Sequence, residues 1–577
     1  MTTPTTACSP VRKRVKHRIP VRLRHHWKFA ALLCAGTAVL LIFFGDARVS
    51  PWVTSASAAD SDEITENVTG TVDLYDETKP HSIQLSYEQT DFTKMMKEFK
   101  ADGTKDYIDA DLTLDGTYLN DVGIRLKGNS TLRSLGGGNR GGGPGGGGEG
   151  GPGDGPGGGD RPDQPGQPDQ QGQPGQPGQP GQPGQPGQQQ GRPGQQGQQQ
   201  PGGGGGGGGG GMMNFQLSAS KPEELPWLIK IDEYVEGRAY QGHREISLRP
   251  GSDDQVPFNE ALSLSLMDAS DQTAEGFAFA SLQVNNRPAV TRMYVENPSK
   301  DYADTQRADD GVMYKARAGS SFDYRGDDPT AYEDSFKQLN KKGSQDLAPV
   351  MRLIKWANQA SDKEFAEELD QYVDVKSLAQ YVATQNLILN FDDMAGPGKN
   401  YVLWYSLDTK KFSVLGWDFN LTFSGSAEAG PDDETGMGGG RPGGGAQQGA
   451  AGPNGGQGQQ RAPGEEQQDQ GQKGEGQQGV DQQGKGGGRG GAMGGHLLKE
   501  RFLELDAFDE VYKSAYRELY QTFYASGTAS RTLTALAADA KRAGADDTGV
   551  DKAVAALRST VTARTKALAK NKEVTAG

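Results

Sequence analysis

The sequence predicts an α+β fold, with a β-rich first half and a helical second half interrupted by two long inserts. Three observations predict it. Period-two strand patterns broken by turn residues dominate residues 80–133 and recur from Pro226. Apolar spacings of 3.6 dominate from Leu347 onward. The 86 glycines among 577 residues fall mostly into two stretches, about Gly136–Gly211 and Gly425–Gly495, composed of Gly, Pro and Gln with scattered charge. Neither stretch has a hydrophobic period, so neither buries enough apolar surface to offset its ordering entropy, and both are expected to be disordered. A Gly-Gln-Pro run from Gly172 to Gly187 repeats every third residue. It is short and embedded in an aperiodic tract, and reads as an expanded loop repeat rather than a collagen-like triple helix.

The chain opens on a basic segment, residues 1–28, with Arg12, Lys13, Arg14, Lys16, Arg18, Arg22, Arg24 and Lys28. An apolar run, Phe29–Phe44, follows, and Ala56-Ser57-Ala58 resembles a cleavage site. This is expected to be a signal anchor, a membrane helix holding the body outside the cytoplasm, or the core of a long cleaved signal. Residues 1–48 carry a net charge of +8, which leaves −23 for the remainder of a chain whose total is −15. An acidic body argues against nucleic acid as a partner. Both cysteines, Cys8 and Cys34, lie in the leader, which excludes disulfides and cysteine-ligated zinc from the body. His81, His243 and His496 are too widely spaced to signal a histidine metal cluster. The abundant carboxylates suit hard cations.

After a linker at 45–74, His81–Tyr87 alternates as a strand and Phe92–Phe99 is patterned as a short helix. Tyr107–Leu114 and Asp121–Leu126 read as strands joined at Asp115-Gly116. Beyond the first insert, assigned to 135–211, Pro226–Tyr234 and Arg244–Leu248 are strand-like and Phe258–Met267 is helical. Phe277–Val284 and Ala289–Val295 form a hairpin turning at Asn285-Asn286-Arg287. Leu347–Gln359, Asp362–Gln371 and Ser377–Leu389 are helical, and Tyr401–Tyr405 with Phe412–Trp417 make another hairpin. Past the second insert, 425–495, the segment 496–577 supplies helices over Leu497–Ala525 and Ser530–Lys570 that complete a domain spanning 75–424.

Three segments carry chemistry. In Gly123-Ile124-Arg125-Leu126-Lys127-Gly128-Asn129-Ser130-Thr131, Arg125 and Lys127 share one face of a strand that ends in a small-residue turn. Asn390-Phe391-Asp392-Asp393 and Gly396-Pro397-Gly398-Lys399-Asn400 lie between a helix and a hairpin. Gly416-Trp417-Asp418-Phe419-Asn420 ends that hairpin. Together they match what phosphoryl transfer requires: an Asp to orient a hydroxyl, an Asn and a second Asp to hold Mg²⁺, and a strand Lys for the phosphates. No literal protein-kinase signature is present.

VGIRLKGNST at 122–131, WLIKIDEY at 227–234, NFDDMAGPGKNYVLW at 390–404 and GWDFNLTF at 416–423 together resemble the CotH family of atypical kinases. The resemblance covers about 75–134, 212–424 and the helices after 496. It implies a bilobal protein-kinase-like fold with a β-rich N-lobe and a helical C-lobe. The implied activity is transfer of phosphate from ATP, with Mg²⁺ (or Mn²⁺), to Ser or Thr of a protein substrate in the envelope or secreted. By resemblance Asp392, or alternatively Asp393, is catalytic, and Asn400 and Asp418 are metal ligands. Lys230 is the candidate phosphate-binding Lys, with Glu260 as its ion-pair partner. Lys127 and Lys315 are rivals for nucleotide contact, and Glu296 lies where the chain would cross between lobes. Asn420 stands where many relatives have a second Asp. The inserts flank the expected cleft, which suggests gating or a lost activity. The alternatives are a catalytically weak or inactive scaffold of the envelope or coat, and a matrix-like protein whose Gly-Gln-Pro tract self-associates.

Overall fold

Strand β1 (Glu66–Val68) is paired in parallel with a short distant strand, Arg238–Tyr240 (β6), so the expected linker at 45–74 already contributes to the fold. The computed structural model describes residues 63–128, 131–136, 216–252, 255–305, 309–433 and 495–575. The chain divides into Met1–Glu63 and one unit, Ile64–Gly577.

The α+β class is observed. Its first half is a closed seven-stranded barrel. Strands β2 (His81–Ser86), β3 (Ile108–Leu114), β4 (Thr117–Leu126), β5 (Trp227–Lys230), β7 (Glu245–Leu248), β8 (Phe277–Val284) and β9 (Val290–Glu296) run in the order β2-β3-β4-β5-β7-β9-β8. All pairs are antiparallel except β8 with β2, which closes the ring. In β2, His81, Ile83 and Leu85 point inward while Ser82, Gln84 and Ser86 face out, the period-two pattern of a half-buried strand. The β3–β4 hairpin turns at Asp115 and Gly116, with φ of 49° and 82°. Two positive φ values define the primed turn that suits strand twist, which explains why Asp-Gly sits there. The interior is filled by Ile83, Leu112, Ile124, Trp227, Ile229, Leu248 and Tyr294. A helix, α1 (Gln89–Asp102), longer than its pattern suggested, places Phe92 and Met95 in the same core.

Helix α2 (Phe258–Asp268) connects β7 to β8 and is buried almost throughout. The short helix α3 (Lys300–Thr305) follows β9. The second half is not purely helical. It contains a four-stranded sheet ordered β11-β10-β12-β13, from β10 (Gly311–Ala316), β11 (Phe336–Gln338), β12 (Tyr401–Ser406) and β13 (Phe412–Gly416). One face packs Val312, Tyr314, Leu403 and Val414 into the helical core. The other packs Met313, Val402, Trp404 and Leu415 with Tyr302 and Ala303 of α3. Because both faces are covered, β10 reads as a short apolar run, Val312–Tyr314, without alternation, and periodicity alone does not separate such a strand from a helix.

Helices α4 (Ala348–Gln359), α5 (Asp362–Tyr372) and α6 (Val375–Leu387) match their sequence pattern within a few residues. Ser361 and Glu364 form a reciprocal capping box on α5, and Asp374 caps α6. The expected long C-terminal helices are broken into α7 (Leu497–Glu504), α8 (Asp509–Tyr520), a π turn at Gln521–Ala525, α9 (Thr528–Arg542), α10 (Asp547–Leu568) and α11 (Lys572–Thr575). Helix α8 packs along α6, and α9 and α10 pack on α2, so the C-terminus ties both halves together.

Two expectations need correction. Among the described residues no helix is long and apolar enough to cross a membrane, which overturns the expected membrane partnership through an N-terminal helix. The longest, α10, carries Asp547, Asp551, Lys552, Arg558, Arg564 and Lys566, and such amphipathic helices bury one stripe and solvate the other. The segment 29–44 that carried the expectation lies outside the described residues. The second insert also begins later than 425. Asn386 Nδ2 donates to the carbonyls of Gly430 and Asp433, both at 3.0 Å, and the Tyr512 hydroxyl donates to Pro431 O at 2.7 Å. Donors from distant helices capture these carbonyls, which no local sequence period could reveal. The remainder of both inserts, 137–215 and 434–494, lies outside the described residues.

Candidate active site

The loop after α6 is held in place by its own side chains. Leu389 takes a φ of 53°, which turns the chain out of the helix. Asn390 is fully buried; its Nδ2 donates to Gln385 Oε1 at 2.8 Å and its Oδ1 accepts from Asp392 N at 3.1 Å. Asp392 accepts hydrogen bonds from Gly398 N and, at 3.0 Å, from Asn400 Nδ2. Any side chain at Gly396 or Gly398 would collide with Asp392, so the glycines are where the loop folds back onto its carboxylate. Burial, reinforced by the charges of Asp418 and Asp393, pushes the Asp392 pKa up to about 6 against the two hydrogen bonds that oppose it. Asp393 is engaged elsewhere. It accepts from Ala395 N at 2.7 Å and forms an ion pair with Lys499 of α7.

Asp418 follows β13 with a φ of 56°, a left-handed conformation that Asp tolerates better than most residues. Its Oδ1 is buried without a hydrogen bond and lies 3.2 Å from Arg249 Nη2. Arg249 directly follows β7 and forms an ion pair with Glu260 in the first turn of α2, the next helix. Its carbonyl is gripped by the fully buried Arg292 of β9, whose Nε donates to it at 2.8 Å. Glu260 is 1% exposed, and burial raises its pKa while Arg249 opposes the rise.

Lys127 also reaches this place. Its side chain is half-buried and donates to Asn297 Oδ1. Burial, then the charges of Arg249 and Lys315, bring its pKa down to about 7, while Asp418 and Glu245 pull the other way. Lys315 on β10 rests its ammonium 3.5 Å from the Trp417 ring centroid, a cation–π contact beside Asp418.

Lys230 does not join them, and the expected Lys230–Glu260 pair is not formed. Register explains it. Leu126, Trp227 and Leu248 are neighbours across β4, β5 and β7 and fill the barrel. The next row along is Lys127, Pro226 and Arg249, with Lys127 N donating to Pro226 O, and alternation aims both cations away from the interior. Lys230 pairs instead with Gly123 and Glu245, four residues or about 13 Å farther along β5. There it forms an ion pair with Glu233 at 2.9 Å. Glu296, at the end of β9, turns to His243 Nδ1 at 3.3 Å and accepts from Gly276 N at 3.3 Å. The structure therefore gathers Asp392, Asn400, Asp418, Glu260 and Lys127, sets Lys315 at the rim, and leaves Lys230 and Glu296 outside.

Sequence reasoning missed Arg249 and Lys499. A signal existed for Arg249, since it ends the last strand before the helix carrying Glu260. Lys499 had none, being separated from Asp393 by the whole second insert. The gathered set consists of oxygen ligands and cations, suited to a hard divalent ion and a polyanion. No cluster of three or more Asp, Glu, His or Cys poised for a metal exists among the described residues.

Comparison with known proteins places the chain in a family. The family model described as CotH kinase protein matches residues 216–570. The inner spore coat protein H of Bacillus subtilis (strain 168) is 22% identical over 195 residues, 33% of this chain and 53% of that protein; the match thus spans about half of the relative's length. The family match begins after the first insert and leaves out β2, β3 and β4, which the barrel nonetheless needs for closure. With more than half of its length matched, this chain belongs to the CotH family.

Proposed function

We propose that the chain is a bilobal, kinase-like enzyme that transfers the γ-phosphate of ATP to a Ser or Thr hydroxyl of a protein outside the cytoplasm, in the envelope or coat. The observation that carries the reading is the convergence of Asp392 with Asn400 on one loop, Asp418 on another, and the Arg249–Glu260 pair with Lys127 across from them. Kinases place a strand cation in an ion pair with a Glu on the following helix and keep it beside the metal-binding Asp. Here Arg249 supplies that cation.

In this reading Asp392 orients the substrate hydroxyl. Its oxygen forms a bond to the γ-phosphorus, the bond to the β–γ bridging oxygen breaks, ADP departs, and the hydroxyl proton passes to the Asp392 carboxylate. With a pKa of about 6 that carboxylate is mostly ionised at neutral pH and is a stronger proton acceptor than an ordinary Asp. Asp393, held by Lys499, fixes the loop. Arg249 and Lys127 face the phosphates, where Arg offers a forked pair of donors. Asn400 and Asp418 would hold Mg²⁺ or Mn²⁺, and the buried Asp418 oxygen without a hydrogen bond fits such a ligand. The ion's contribution is to neutralise charge on the phosphates during transfer. The spore-coat name of the relative supports the proposed location.

The test is phosphate incorporation by the full-length chain with ATP and Mg²⁺ or Mn²⁺, into itself or a Ser-rich protein. Asp392→Ala and Asp418→Ala are run alongside. Labelling by the wild type that both variants lose is expected; equal labelling by all three, or none by any, refutes the reading.

A further inference from the structure

Tyr381 lies on α6 with its side chain buried, and it has no part in the chemistry proposed for the loop that follows that helix. Its hydroxyl accepts from Met394 N at 2.9 Å and donates to Asn400 O at 3.3 Å. The direction of each bond is settled by its partner, since a backbone N–H only donates and a carbonyl only accepts. The single proton of the phenol is therefore committed to Asn400, and both bonds are buried.

These two bonds join the arms of the loop at its base. Met394 directly follows Asp393, and Asn400 carries the amide that donates to Asp392 at 3.0 Å. Between them lie Gly396 and Gly398, which put no side chain against Asp392 and which lose more freedom on ordering than other residues. A segment of that kind keeps its shape only while contacts hold it. The outer bend is held from the far side. Lys399 Nζ donates to Ala395 O at 3.3 Å and to Gly495 O at 2.9 Å, and Gly495 N donates to Ala395 O at 3.2 Å. The base is held by Tyr381, whose ring is carried by a helix packed along α8. The spacing of Asp392 and Asn400 is thus set against a packed helix rather than by the loop itself.

We propose that Tyr381 is a positioning residue for phosphoryl transfer, holding Asp392 and Asn400 at the spacing that the attacking hydroxyl and the metal require. The proposal rests on the kinase reading of the site. Tyr381 itself touches neither substrate nor metal and acts through Asn400 and Met394. Tyr381→Phe removes one oxygen and leaves the ring packed in the helical core. Met394 N and Asn400 O then lose a buried partner, and the loop shifts or admits water to satisfy them. Transfer chemistry is sensitive to displacements of about 1 Å, so such a shift is felt at the reaction. The cations that face the nucleotide, Arg249 and Lys127, stand at the ends of barrel strands and do not depend on the strut.

Phosphate transfer to a Ser-rich protein is measured for the full-length wild type, Tyr381→Phe and Tyr512→Phe, varying Mg²⁺ at saturating ATP and ATP at saturating Mg²⁺. Tyr512 is the comparison because its hydroxyl also makes a buried bond, to Pro431 O at 2.7 Å, outside the loop. Tyr381→Phe is expected to lower kcat about tenfold or more and to raise the Mg²⁺ needed for half-saturation severalfold. Its KM for ATP is expected to stay within about twofold of the wild type. Tyr512→Phe, with a similar fall in Tm, is expected to keep wild-type kinetics. Hydrogen exchange of the peptide covering 390–400, followed without ATP, reads the strut directly: faster in Tyr381→Phe and unchanged in Tyr512→Phe. Wild-type kcat and Mg²⁺ dependence in Tyr381→Phe overturn the proposal while the kinase reading stands. Equal kinetic losses in the two variants, or unchanged exchange in Tyr381→Phe, do the same. Absence of labelling by the wild type overturns the kinase reading and this proposal with it.

Discussion

Replacing Arg249 by Met separates the structural from the functional role of the central ion pair. The Glu260 side chain is 1% exposed and that of Arg249 13%, and Asp418 lies 3.2 Å from the same guanidinium. Removing the cation strands two carboxylates beside each other in a dry place. Breaking a buried pair from one side costs about 3–5 kcal/mol. Arg249→Met should therefore lose that amount in urea unfolding followed by tryptophan fluorescence at pH 8. At pH 5 the deficit should shrink, because Glu260, whose pKa is already raised by burial, takes up a proton instead of standing unpaired. In Arg249→Met/Glu260→Gln the neutral pair should regain most of the loss, leaving a coupling energy of about 2 kcal/mol or more. Affinity for MgATP, measured calorimetrically, should stay at least about tenfold weak in the double variant because the phosphate contact is gone. Additive stability losses would refute the buried-pair argument. Wild-type nucleotide affinity in the double variant would refute the assignment of Arg249 to the phosphates.

The remaining expectations concern protons and the C-terminal clamp. Glu275 is 4% exposed, and burial, with Glu260 and Glu296 adding, pushes its pKa up to about 8 against the pull of Arg249. A carboxyl whose folded pKa is raised favours folding below its unfolded pKa and loses that contribution as pH climbs through the folded value. Glu275→Gln should thus flatten the fall in Tm between pH 5 and 9 and at pH 9 be more stable than the wild type by on the order of a few kcal/mol; parallel Tm curves would contradict this. Lys127, with a pKa near 7, should take up a proton when a polyphosphate binds, since the anion raises its pKa. Calorimetry at pH 7.5 in buffers of different ionisation enthalpy should show that uptake, and Lys127→Met should abolish it. Arg564 is fully buried. Its Nε donates to Leu387 O at 3.1 Å, its Nη2 to Asn386 O at 2.9 Å, and its Nη1 to Ala429 O. Arg564→Met leaves the Ala429 carbonyl without its guanidinium donor, while Leu387 O keeps the Tyr524 hydroxyl and Asn386 O keeps Leu389 N, and should cost about 1–3 kcal/mol in chemical unfolding.

Legibility followed the range of the interaction. Helices α4, α5 and α6 were readable because amphipathic period and caps are local. The β3–β4 and β8–β9 hairpins were readable from their turn residues. Strand β10 was not, because both of its faces are covered and the alternation vanishes. The loop after α6 was readable as a composition of Asn, Asp and Gly, yet nothing in it shows that Asp393 is held by Lys499, 106 positions away in the chain. Lys230 looked like the phosphate lysine because it sits on a strand in a matching motif. Register, set by β5 pairing with both neighbours, puts it on the wrong row.

The sequence by itself determined the chemistry on offer: an acidic body, two glycine-rich inserts, and Asp392, Asn400 and Asp418 on loops beside strands. These are properties of composition and short-range pattern. The tertiary structure alone decided which cation completes the set. Barrel closure aligns the ends of β4, β5 and β7, so Lys127 and Arg249 meet Asp418 and Glu260, while Lys230 four residues along cannot. A choice of that kind depends on strand register across the sheet, and register is fixed by long-range pairing and core packing rather than by any window of sequence.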